Sequence, residues 1–326
     1  MQFPYPRKAS SPASPYTTSR STFPHRRRTL ALYAVAAVAA LSLLFHLLGS
    51  LLTPRNASSA SSTRIPPGTP GAVIVTTLDP SLSPLHRANI IANRKDYAHR
   101  HGYTAFFPNT TDYDLMPHIP ASWSTVPALR HVMTLHPHTP WLWYLSSTAL
   151  IMNPALALPT HITAPQRLEN LMIPNRPVVP PDSVIRTFSH LRGERVDFIL
   201  TQDKDGLAGG SLLVRTGEWA KFFLDAWFDP LYRSYNFQKA EGHALEHIVQ
   251  WHGTILAKLA LVPQRTMNSY TREAGGASAG EDGLYHEGDF TANFHGCQRD
   301  GARDCEQEMA PLMTRWKELR DQERRR

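Results

Sequence analysis

The sequence predicts an α/β fold for residues 71–326, and three observations carry that prediction. A β-branched run opens the segment, a capped helix follows it, and a second apolar run follows the helix. AVIVTT, residues 72–77, has the composition of a strand buried on both faces. Ser83-Pro84 then supplies a hydroxyl cap and a proline suited to a helix's first turn. The helix runs through ANIIANRKDYAHRH and stops at Gly102, a residue type that tolerates the left-handed position at a helix end. TAFFP is the second strand, and strand, helix, strand in that order implies parallel pairing.

The segment STVPALRHVMTLHP continues as a helix with Leu129, Val132, Met133 and His136 on one face. It leads into the strand WLWYL, residues 141–145, on which Trp141 and Trp143 share a core-facing side. GSLLVRT is a short strand, and Arg215 at its end is placed to pair with an acid. EWAKFFLDAWF places Trp219, Phe222, Phe223 and Ala226 at i, i+3, i+4 and i+7. Residues 241–252 set Ala244, Leu245, Ile248 and Val249 in one stripe. Both stripes read as core.

The front of the chain has a different character. Of 34 Lys and Arg residues and 27 Asp and Glu residues, the first 70 positions hold eight basic residues and no acidic one. The remainder, 26 basic against 27 acidic, is nearly neutral. The excess charge therefore belongs to the N-terminal end, and this argues against a nucleic-acid-binding domain. Residues 29–53 contain no formally charged side chain, and that length spans a bilayer as a helix. A cleaved signal peptide and a buried core helix are the competing readings, although the first usually has a shorter apolar region and the second a polar face. His25-Arg26-Arg27-Arg28 precedes the segment, so the positive-inside rule leaves the short N-terminus cytosolic and sends the bulk across.

The expected organisation is a disordered cytoplasmic tail at 1–28, a signal-anchor at 29–53, a Ser- and Pro-rich stem at 54–70 and a lumenal domain at 71–326. Asn56 and Asn109 head glycosylation acceptor triplets consistent with a lumenal body. Cys297 and Cys305 are the only cysteines. They either pair in an oxidising lumen or remain two free thiols.

Several segments taken in order resemble one family. They are NRKDYAHRHGY, PALRHVMTLHPHTPWLWYL with ALIMNP, TQDKDG with GGSLLVRTGEW, FLDAWFDP, ALEHIV, LVPQRTMNSY and GDFTANFHGC. The set is similar to glycosyltransferase family 34, the fungal Golgi galactosyl/mannosyltransferases, and most of all to α-1,6-mannosyltransferase subunits that extend N-glycan mannan. The resemblance implies a GT-A fold, a nucleotide-sugar donor, retention of anomeric configuration, Mn²⁺ and a type II Golgi membrane anchor. The donor implied is GDP-mannose, with UDP-galactose as the alternative. The implied partners are a mannan or N-glycan acceptor and other mannosyltransferase subunits in a Golgi complex.

The resemblance also marks where this chain departs. The family's strand after W-x-W ends in Asp-x-Asp, because two carboxylates at i and i+2 converge on one hard cation. Here the matching residues are Ser146 and Thr148, which bring hydroxyls and no charge. The family's metal-binding histidine falls at Asn293, with His295 two residues on as a substitute ligand or a structural histidine. Ala208 stands where the family has Asn, and Glu241-Gly242 replaces an acidic-Gln pair. Asp203 and Asp205 either approach the donor sugar or a displaced metal, or form a solvated turn. Glu241 is either a substrate contact or a helix-start residue favoured by the dipole. Gly209 and Gly210 read as sites of close backbone packing, and Asp289 as the residue that fixes the loop carrying Asn293 and Cys297. Three readings follow: an active retaining hexosyltransferase with Asp203 and Glu241 as its acids, a subunit of little activity that supports an intact paralogue, or a lumenal lectin that binds mannan without a nucleotide.

Overall fold

Parallel strands need a crossover, and the first forty residues of the folded body supply one. A computed structural model of the protein describes residues 33–45, 65–116, 118–179, 183–235, 237–272, 283–298 and 303–325. The chain divides into two units, residues 1–64 and Ile65–Arg326. In the first, residues 33–45 are helical. No helix among the described residues is long and apolar enough to cross a membrane. The rest of the expected 29–53 span, the 1–28 tail, most of the 54–70 stem and Asn56 lie outside the described residues.

In the second unit, β1 (Ala72–Val75) is buried at every position. Helix α1 (Pro84–His101) starts where the Ser83 hydroxyl accepts the His86 N–H at 3.1 Å, and ends at Gly102 with φ of 64°. His99, Arg100 and His101 occupy its last turn, where the helix dipole favours positive charge. β2 (Thr104–Phe106) and β3 (Trp141–Leu145) flank β1, both parallel to it. Helix α2 (Thr125–Leu135) joins them. His136 is not part of its apolar face: it caps the helix with non-helical backbone angles, next to Pro137.

β4 (Ala149–Ile151) leaves the main sheet. β5 (Phe198–Asp203) and β6 (Gly206–Arg215) form a tight hairpin, so β6 enters antiparallel to both β5 and β3. β6 is longer than the GSLLVRT segment, because its glycine-rich half also pairs with β5. β7 (Leu259–Val262) completes the order β2-β1-β3-β6-β5-β7. A second sheet, β4-β9-β8, adds β8 (Ser269–Tyr270) and β9 (Thr291–Asn293).

Alternation along the strands sends Val73, Val75, Leu142 and Tyr144 to one face and Ala72, Ile74, Trp141 and Trp143 to the other. The first face is covered by α2, α3 (Glu218–Trp227) and α4 (Glu241–Trp251). The α4 stripe of Ala244, Leu245, Ile248 and Val249 is buried as its spacing predicts. On α3 the buried arc is rotated: Ala220, Phe223, Leu224 and Trp227 are buried, while Phe222 is 47% exposed. Trp227 fixes that rotation, its indole N–H donating to the Glu241 carbonyl at 2.8 Å. Arg215 pairs with Asp197 at 3.2 Å and lies over the Trp141 ring.

Helix α5 (Cys305–Arg325) packs Met309, Met313 and Trp316 against Leu150, Met152, Ala292 and Phe294 of the small sheet. Cys297 and Cys305 are joined as a disulfide at the start of that helix.

Candidate functional site

The chain moves from β1 outward to β2 and then back across to β3, and in open α/β sheets the crevice at such a reversal takes the ligand. A cleft of about 940 Å³ opens there. Its floor is the ends of β1 and β3. The Thr76 hydroxyl donates to the Leu145 carbonyl at 2.7 Å, and Thr77 Oγ1 meets the Tyr144 hydroxyl at 3.3 Å. Burial pushes the Tyr144 phenol above its ordinary value, so it is a neutral hydroxyl at physiological pH.

β3 stops at Leu145, and Ser146 to Thr148 turn instead of continuing as a strand. The Ser146 N–H donates to the Gly210 carbonyl and its own carbonyl accepts the Ala149 N–H. This turn, and not strand alternation, brings Ser146 Oγ and Thr148 Oγ1 to 2.9 Å. Thr148 donates to Asn293 Oδ1 at 3.0 Å, Asn293 Nδ2 to Asn268 Oδ1 at 2.8 Å, and Asn268 Nδ2 to Thr201 Oγ1 at 3.2 Å. The chain of contacts is neutral throughout. Gly210 is required beside it, since a Cβ there would lie 2.4 Å from Asn293 Nδ2. Gly209 has open space at the same point and lines the cleft.

Behind this corner lies Arg94, fully buried on α1. Its guanidinium donates to the Ser146 carbonyl at 2.8 Å and to the carbonyl of Ala149 at 2.5 Å. Neighbouring Asn93 holds β4 by exchanging two hydrogen bonds with the Ile151 backbone.

The opposite wall carries the acids. Asp203 is buried at the end of β5, where it accepts the Tyr270 hydroxyl at 2.8 Å and the Asp205 N–H at 2.8 Å. The pair is therefore an Asx-type turn, with Asp203 inside and Asp205 exposed at the rim. The Asp205 carbonyl accepts from Lys239. Lys239 also lies 3.6 Å from Glu246, whose carboxyl burial pushes above the ordinary range against the pull of that lysine. Gly206, with φ of 143°, is doubly constrained, because a Cβ there would also strike Glu246. Glu241, first residue of α4, accepts the Ser122 hydroxyl at 2.5 Å. It follows Ala240, whose φ of 43° is uncommon for a residue with a Cβ.

His295 stacks on Tyr270 with centroids 4.6 Å apart and planes within 3°. Its carbonyl accepts from Arg303, which is paired in turn with Glu308. Asp289 anchors the approach to β9 by accepting from Arg265, Ser269 and the His286 N–H. Asn109 is partly buried away from these groups, its amide donating to Asp112 and accepting from Arg87.

The residues present do not fit a divalent cation. Ser146 and Thr148 satisfy each other and Asn293, both Asp203 oxygens accept hydrogen bonds, and His295 stands against an aromatic ring. No group of three or more His, Cys, Asp or Glu among the described residues is placed to hold a metal ion. Such cations take a shell of oxygen ligands in which at least one or two carboxylates converge.

Six residues picked from the sequence, Ser146, Thr148, Asp203, Asp205, Glu241 and His295, line this one cleft. Three further residues shape the site without a signal in the sequence. Arg94 and Asn268 fall inside segments NRKDYAHRHGY and LVPQRTMNSY, and Tyr270 follows two residues after Asn268; nothing local distinguishes them from surface polar residues. Fold and cleft together define an α/β protein with a cleft at the strand reversal of an open sheet, the place where such folds generally take ligands.

The profile of the galactosyl transferase GMA12/MNN10 family matches residues 69–305, and the chain belongs to this family. A Schizosaccharomyces pombe protein named an uncharacterized alpha-1,2-galactosyltransferase is 36% identical over 217 residues, 67% of this chain and 64% of its own. MNN10 of Saccharomyces cerevisiae, named a probable alpha-1,6-mannosyltransferase, is 30% identical over 246 residues, 70% of this chain and 59% of its own. The chain thus spans less than two thirds of the length of either relative. Among solved structures, a glycosyltransferase involved in the glycosylation of the major capsid of PBCV-1 is similar with a TM-score of 0.47 and 10% identity, over 76% of this chain and 98% of that one.

Proposed function

We propose that the chain is a retaining hexosyltransferase of GT-A type that moves a hexose from a nucleotide sugar to a mannan-type or N-glycan acceptor. The observation that carries this reading is the convergence of Ser146, Thr148, Asp203, Asp205, Glu241 and His295, from four separated segments, on one cleft at the strand reversal. In it, the hydroxyl corner faces the donor diphosphate, and Asp203 and Glu241 face the sugar and the acceptor. Reaction on one face of the sugar sends the acceptor's proton to the departing phosphate oxygen. The protein's task is then positioning and charge stabilisation more than strong base catalysis. The donor is GDP-mannose or UDP-galactose, which carry the two hexoses, mannose and galactose, that the relatives' names describe. The uncharged apolar segment at 29–53 would hold the protein as a type II Golgi membrane protein, with Asn56 and Asn109 on the lumenal side. The test is incubation of the full chain with each donor and an α-mannoside oligosaccharide. Addition of one hexose with retained configuration is expected, and no product from either donor would remove the reading.

One observation favours a second reading. Ser146, Thr148 and Asn293 form a corner without a formal charge, so the chain is alternatively a subunit of low activity within a mannosyltransferase complex. Co-purification with a family member, and a rise in that partner's turnover when this chain is added to it, would distinguish the two.

A further inference from the structure

We propose that the corner of Ser146, Ser147 and Thr148 binds a diphosphate without a divalent cation, with buried Arg94 supplying the positive charge. This rests on the reading of the cleft as a donor site.

Arg94 is 0% exposed, and no carboxylate lies within ion-pair distance of it among the described residues. Its guanidinium is held by neutral acceptors only: the carbonyls of Ser146 and Ala149 and the Asn93 side-chain oxygen. Its Nε has no partner at all. A buried, uncompensated charge of this kind is costly unless something of opposite sign comes near. Burial lowers its pKa to about 9, which leaves it protonated at neutral pH. Arg94 lies behind the cleft wall, and the Lys and Arg residues that line the cleft itself are already neutralised, Lys239 by Glu246 and Arg303 by Glu308. Burial lowers His86, which keeps it mostly uncharged there. Arg94 is therefore the cation at this wall whose field is not cancelled by an adjacent acid.

The turn that receives this field presents hydroxyls. Thr148 donates to Asn293 and Ser146 Oγ lies 2.9 Å from Thr148 Oγ1, so these two hydroxyls hold the shape of the turn, while Ser147 Oγ only accepts, from Gln298 at 3.3 Å, and keeps its own proton to donate. A hydroxyl donor over a buried guanidinium suits a phosphate oxygen. Charge bookkeeping leads to the same result. Two carboxylates plus a divalent cation sum to zero, so a corner that lacks both keeps the same net charge toward an anion. At the corner itself a cation would meet hydroxyls with Arg94 behind them, because the carboxylates that line the cleft, Asp203, Asp205 and Glu241 among them, stand on other segments.

The test is calorimetric titration of the full chain with inorganic pyrophosphate, GDP and UDP, in EDTA and in Mn²⁺. The expected result is affinity equal within about twofold in the two conditions. Ser146→Asp with Thr148→Asp places two negative charges on the corner. It should lose roughly tenfold or more in EDTA and regain affinity when Mn²⁺ is added. Arg94→Gln should weaken binding by a similar factor; if it does not fold, the double aspartate variant still decides. Wild-type binding that needs Mn²⁺, or no binding of pyrophosphate or either nucleotide, would overturn the inference. Hexose transfer that requires Mn²⁺ would overturn it while leaving the transferase reading intact. Metal-free diphosphate binding with no transfer from either donor would do the reverse.

Discussion

Asp289 is a single residue whose contribution can be followed through pH. Burial alone would raise its carboxyl, yet hydrogen bonds from Arg265, the His286 N–H and Ser269 outweigh this and leave it below the ordinary 3.8. A lowered carboxyl binds its proton less tightly in the folded state than in the unfolded one. Its stabilisation is therefore complete above pH 3.8 and disappears as pH falls through the lowered folded value. Asp289→Asn is expected to cost about 1.5–3 kcal/mol at pH 7, the usual range for hydrogen bonds to a charged group. Denaturant melts of both proteins from pH 7 downward should show the gap closing below the unfolded value. A gap that stays constant would refute the account. Asp289 was readable in the sequence as an anchor because it sits between a glycine and a strand. Arg94 was not, because a helical arginine looks the same whether it faces water or the core.

At the level of elements, α3 separates what periodicity reveals from what only packing decides. A helix's apolar positions locate a face to within a residue or so, and neighbouring side chains choose the exact rotation. The spacing of Trp219, Phe222, Phe223 and Ala226 located the helix correctly but set its face one position off. Trp227, tied to the Glu241 carbonyl, turned it. Phe223→Ala should therefore destabilise by about 3–5 kcal/mol, while Phe222→Ala should cost under about 0.5 kcal/mol. Equal losses in thermal or urea melts would contradict the observed rotation. The β3 end offers the same lesson in another form. The sequence located the polar corner, but its two hydroxyls converge through a turn that no alternation pattern encodes. The Cys297–Cys305 pairing, left open by the sequence, closes a separation of eight residues beside the cleft. A loop of that size supports a loss of about 2–3 kcal/mol for Cys297→Ser with Cys305→Ser. The loss should be read by melting under non-reducing conditions, where an unchanged midpoint would deny the disulfide a stabilising role.

For the whole molecule, the division of labour between the two units predicts what removal of the first does. Every residue of the three apolar clusters lies between Ala72 and Trp316, within the second unit. The hydrophobic effect that stabilises a fold is proportional to the apolar area withdrawn from water. None of the area in these clusters comes from residues 1–64. A chain beginning at Ile65 should therefore unfold cooperatively with a midpoint like that of the full chain. Its charge should differ sharply. The full chain carries a formal +7, and the first 64 residues hold eight basic and no acidic side chains, so the shortened chain carries −1. On a cation exchanger at pH 7 the full chain should be retained and the shortened one should pass through. A shortened chain that melts without a cooperative transition would mean that the first unit contributes to the core of the second. One that melts normally would place the entire cleft, with Arg94 and its hydroxyl corner, in a body that folds without its N-terminal segment. Diphosphate titrations could then be repeated on that body without detergent.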